Sequence, residues 1–165
     1  MADKSSFTPE EWKLVLSSPM LAGLAVTIAE PSGLWGMLKE SMASASAVLT
    51  AGKDAKASPL MKAILADMET SDGRRIARDE ITAGMSGKSP AEIKQQVIDK
   101  LAQVGNILDA KAPGDAATFK TWLKYVADQV AEAASEGGVL GFGGTQVTPN
   151  EKATIAEVGK ALNVA

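Results

Sequence analysis

The 165-residue sequence predicts an all-α protein: one domain over residues 1–165, built as a bundle of seven or eight helices. Three observations carry that expectation. Hydroxyl–proline pairs recur where helices would start, apolar residues recur at spacings of three and four, and no stretch alternates at period two as a half-buried strand would. Composition agrees, because 45% of the chain is hydrophobic but only 4% aromatic. A β-sandwich would want more Val, Thr, Tyr and Phe, whereas helices packed through small side chains would not.

Taken in order, the start from Met1 to Ser6 is polar, and residues 1–7 are expected to be disordered. Thr8-Pro9-Glu10-Glu11, Ser89-Pro90-Ala91-Glu92 and Thr148-Pro149-Asn150-Glu151 share one helix-start pattern. The hydroxyl at N-cap accepts a backbone N–H, Pro at N1 needs no N–H partner, and Glu at N3 closes a capping box. Ser18-Pro19 and Ser58-Pro59 are partial versions.

Trp12, Val15 and Leu16 mark a short first helix, and Met20, Leu21, Leu24, Ala25 and Ile28 a second, stopped by Pro31 and Gly33. Leu34, Leu38, Ala45, Val48 and Leu49 mark a third, ending near Gly52. Leu60, Ile64, Leu65 and Met68 form a fourth before an Asp72-Gly73 turn, and a short fifth runs from Arg74 to Met85. Ile93, Val97, Leu101, Val104 and Leu108 keep a helical period up to Pro113-Gly114. Phe119, Trp122, Leu123, Val126, Val130 and Ala134 do so up to Gly137-Gly138, and Ile155, Val158 and Leu162 belong to a last helix.

The bulk numbers exclude several functions. A net charge of −3 argues against a nucleic-acid partner, since such binding rests on Lys and Arg neutralising phosphates. The chain has no Cys and no His, so disulfides and iron–sulfur clusters are excluded, and neither haem nor zinc is expected. No nucleophile–base pair announces itself, so the reading leans to a non-enzymatic protein; the alternative, an enzyme with an acid pair, predicts a pocket lined by at least two carboxylates. Its start lacks the apolar stretch of a signal peptide. The apolar run from Met20 to Ala29 is about half of the roughly 20 residues that span a bilayer. A cytoplasmic protein, not transmembrane, is expected.

An internal echo appears when Glu30 is set against Glu136. Met20, Leu21, Leu24, Ala25 and Ile28 then fall on Val126, Ala127, Val130, Ala131 and Ala134. Both stretches run into an acid and a Gly-containing turn, followed by a further helix with an early Glu, Glu40 or Glu151. This suggests a degenerate repeat about a pseudo-twofold axis. Such an axis would bring Glu30, Glu40, Glu136 and Glu151 together as a carboxylate site. Oxygen ligands alone suit calcium, magnesium or manganese. Glu30 and Glu136 lie near helix C-termini, where the macrodipole disfavours negative charge, which points to another use. Against this, Glu151 already has a role in a capping box.

Other features have plainer readings. The loop Gly137-Gly138-Val139-Leu140-Gly141-Phe142-Gly143-Gly144 lacks the Lys-Ser/Thr of a phosphate loop and follows a helix, not a strand. Together with Gly33-Leu34-Trp35-Gly36 it offers apolar turns, 33–36 and 137–144, to a protein partner or a peripheral membrane contact. Asp67 to Gly73 misses the spacing of a calcium loop. Arg74, Arg75 and Arg78 are interleaved with Asp72, Asp79 and Glu80 and read as a self-paired face. Trp12, Trp35 and Trp122, with Met61 and Met68, read as core.

The helix–acid–Gly-turn–helix pattern resembles the TerB-like tellurite-resistance family of small all-helical proteins. The matching residues are Ala29-Glu30-Pro31-Ser32-Gly33 with Glu40, and Ser135-Glu136-Gly137 with Glu151. Val147-Thr148-Pro149-Asn150-Glu151-Lys152 with Ile155-Ala156-Glu157-Val158 looks like the family's closing helix. Both turns depart from the family pattern: Glu replaces Asp, the first contains a Pro, and the second a long insertion. The resemblance implies a cytoplasmic protein with an acidic, divalent-cation-binding surface and a stress-response role.

Overall fold

A computed structural model describes residues 2–29, 57–136 and 147–164, with residues 133–136 described by backbone alone. Among these residues there are helices and no strands. A 3-10 turn, Lys4–Ser6, precedes six α-helices: α1 (Pro9–Ala29), α2 (Pro59–Glu69), α3 (Ser71–Thr82), α4 (Pro90–Lys111), α5 (Pro113–Glu136) and α6 (Pro149–Leu162). Seven or eight were expected. The helix read over Leu34 to Gly52 lies outside the described residues, and the first two expected helices are one.

The capping boxes form as the sequence implies. Thr8 N–H donates to Glu11 Oε2 at 2.8 Å while Glu11 N–H donates to Thr8 Oγ1 at 3.2 Å. Ser89 with Glu92 and Thr148 with Glu151 repeat the exchange.

Ser18-Pro19 does not start a helix. Pro19 sits inside α1, where its missing N–H strips the Val15 carbonyl of its i+4 donor. The Ser18 hydroxyl donates to that carbonyl instead, at 2.6 Å, and Ser17 Oγ donates to the Leu14 carbonyl at 2.9 Å. Both serines are fully buried. The side chain next to the proline thus supplies the bond that the proline removes, and the helix continues. Ser18→Ala leaves a buried carbonyl without that donor. It should lower stability by about 1–3 kcal/mol in chemical denaturation, the cost of an unsatisfied buried polar group.

With Pro19 inside it, α1 is 21 residues long and, beyond Glu10, Glu11 and Lys13 near its start, apolar all round, long and apolar enough by composition to cross a membrane. The expectation from the shorter Met20–Ala29 run is corrected in that respect. Most of the helix is buried within the bundle, where it packs against each of the other five helices. A helix hydrophobic on every side is what a bundle centre requires.

The turn expected at Asp72-Gly73 lies earlier, at Thr70. Its hydroxyl donates to the Asp67 carbonyl at 2.7 Å and accepts the Gly73 N–H at 2.9 Å, ending α2 and capping α3 together. Asp72 and Gly73 are therefore inside α3. That helix ends at Thr82, before Gly84 turns the chain at φ +76°, a left-handed value that glycine adopts without strain.

Residues 2–7, expected to be disordered, lie on the bundle. Ala2 and Phe7 are buried, and the Phe7 ring packs on Trp12 at 5.7 Å. Asp67 ties this strap down, accepting from Lys4 Nζ at 2.8 Å and from Trp12 Nε1 at 2.7 Å. Partial burial alone would raise the Asp67 pKa. The hydrogen bonds from Lys4 and Trp12 outweigh it and hold the carboxyl below its ordinary 3.8. A carboxyl depressed in the folded state stabilises it above its unfolded pKa, and that contribution is lost as pH falls through the lower, folded value. The stability gap between wild type and Asp67→Asn should therefore be constant near neutrality and close as acid titrations pass below about pH 4. A gap unchanged at pH 2 would show that the ionised carboxylate is not what holds the strap.

Candidate functional site

The directions of the helices decide which chain ends meet. Lys111, at the junction of α4 and α5, reaches to 3.9 Å from Glu11 in the first turn of α1. Nearer the other end, Gly23 of α1 faces Val130 of α5 so closely that a Cβ on it would lie 3.2 Å from Val130 Cγ2. Contacts that rise together along both helices mean that α1 and α5 run parallel. Ala29 and Glu136 each stand six residues beyond the crossing, about 9 Å along the axis at 1.5 Å per residue, and so finish level.

α6 runs the other way. Gly159 meets Lys124, and Gly105 of α4 faces Ala161 and Leu162 of α6 as well as Lys120 of α5. Stepping back eight residues from Gly159 brings Glu151 roughly level with the last turns of α5. One end of the bundle therefore gathers the C-termini of α1 and α5 and the N-terminus of α6. Two helix C-termini side by side carry about half a negative charge each, and the positive end of α6 beside them is offset by Glu151 in its own first turn. Neither α1 nor α5 has a basic residue in its last turn to offset it.

Of the four carboxylates expected to form a site, Glu30 and Glu40 lie outside the described residues. Glu136 closes α5, and its side chain is also outside them. Glu151 is described fully and is 4% exposed. Its Oε2 accepts the Thr148 N–H at 2.8 Å, so the capping role accounts for one of its oxygens. Among the described residues no three acidic side chains stand close enough to share a metal ion. The apolar turns 33–36 and 137–144 lie outside the described residues as well.

The remaining sequence candidates resolve into structure. Arg74 donates to the Met68 and Glu69 carbonyls at 3.1 and 2.7 Å, satisfying the end of α2, and Arg75 pairs with Asp72 and Asp79. Trp12, Trp122 and Met61 are core, and Met68 packs against it.

Two polar features carry no sequence signal, because their residues come from separate helices and no motif links them. Lys120, 4% exposed, lays its stem beside Gly105 and pairs with Asp109 at 2.7 Å. An open groove of about 580 Å³ lies between the start of α1, the end of α3 and α4. Leu14 and Ile107 contribute its apolar surface, and Glu10, Glu80, Asp99 and Lys100 stand among its polar walls. Much of that polarity is satisfied internally. Lys100 binds Glu80 at 3.0 Å, and Gln96 donates to the Ala83 carbonyl at 2.7 Å. No family model, no curated protein and no solved structure matches the chain.

Proposed function

We propose that this chain is a non-enzymatic helical protein that binds a divalent cation through carboxylates at the end of the bundle where α1 and α5 terminate. The observation that supports the reading is the parallel course of these two helices. Two helix C-termini, neither with a basic residue in its last turn, finish level with one another. Glu136 ends one and Glu30 follows the other in the chain. Negative charge concentrated in this way is relieved by a cation, and an all-oxygen donor set suits calcium, magnesium or manganese. A stress-response role is the part of the proposal that rests on the family resemblance alone.

Thermal melts of chelator-stripped protein, with and without each of the three cations, test the reading. A cation at about 100 times its dissociation constant should stabilise the fold by roughly 2.7 kcal/mol. The shift should shrink in Glu30→Gln and Glu136→Gln. No shift with any of the three cations would overturn the proposal, as would a shift of full size in the double variant.

A further inference from the structure

We draw no further inference here: the strongest candidate, the open groove between the start of α1, the end of α3 and α4, has mixed charges that largely pair among themselves, as Lys100 does with Glu80, and nothing in the structure shows what covers it.

Discussion

Phe119→Ala should cost about 3–5 kcal/mol, the usual range for emptying a buried aromatic site. The ring is fully buried and is the largest of the fully buried side chains among the described residues. It meets Trp122 edge-on with centroids 5.3 Å apart, a geometry that adds to the value of the buried area. It also stands on the face of α5 formed by Ala116, Leu123, Val126, Ala127 and Val130, all buried. Removing the ring takes away a central filler between helices whose neighbours cannot close the gap without shifting. For a chain of this size each kcal/mol moves the melting temperature by roughly 2–4 °C, so a fall of about 10 °C is expected by circular dichroism. A fall of only about 2 °C would mean that the surroundings collapse into the space.

The second large effect belongs to Gly73→Ala. A Cβ there would lie 2.0 Å from the Asp67 carbonyl oxygen and 2.6 Å from its carbon. The obstacle is backbone, and it cannot swing aside. That carbonyl already accepts the Thr70 N–H at 3.0 Å and the Thr70 hydroxyl at 2.7 Å. Making room therefore opens the junction that ends α2 and starts α3. Alanine's better helix propensity returns about 1 kcal/mol. The overpacking penalty, at the upper end of about 1–3 kcal/mol or beyond it, should win and leave a net loss of about 2 kcal/mol. Gly114, in the first turn of α5, has nothing within 4 Å of its ideal Cβ. Gly114→Ala should be neutral or mildly stabilising, which makes it the control in the same denaturation series. Equal effects at the two glycines would refute the steric account.

The all-helical class was legible because each of its signals is local. A capping box spans four residues, so Thr8 with Glu11 and Thr148 with Glu151 could be read without knowing what they pack against. The period of α4 and α5 was equally plain, since each shows one apolar face to the core. Two misreadings within the helices share a cause: in each, a side-chain bond overrides a local propensity. Pro19 looks like a helix start until the Ser18 hydroxyl is seen on the Val15 carbonyl. Asp72-Gly73 looks like a turn until Gly73 is seen against the Asp67 carbonyl, with Thr70 as the cap.

The candidate site was legible in part. The expected register sets Gly23 against Gln129, whereas Gly23 stands against Val130, one residue further along α5. That the two helices run parallel could not be read, because direction is set by contacts between distant segments such as Lys111 and Glu11. The groove beside α1 and the Lys120–Asp109 pair were invisible for the same reason. They join residues from different elements, and no short-range chemistry announces them.

The central position of α1 has a consequence for how the chain is made. This helix is the first of the six to leave the ribosome, yet its main neighbours α3 to α6 all follow it in the chain. Parallel neighbours cannot zip up as a hairpin, so the contact between α1 and α5 waits until more than half the sequence has been translated. At about 5–20 residues per second, an apolar helix of near-membrane length spends several seconds without its jacket. Nascent-chain chaperones, and any membrane close to the tunnel exit, therefore meet α1 before α5 and α6 do.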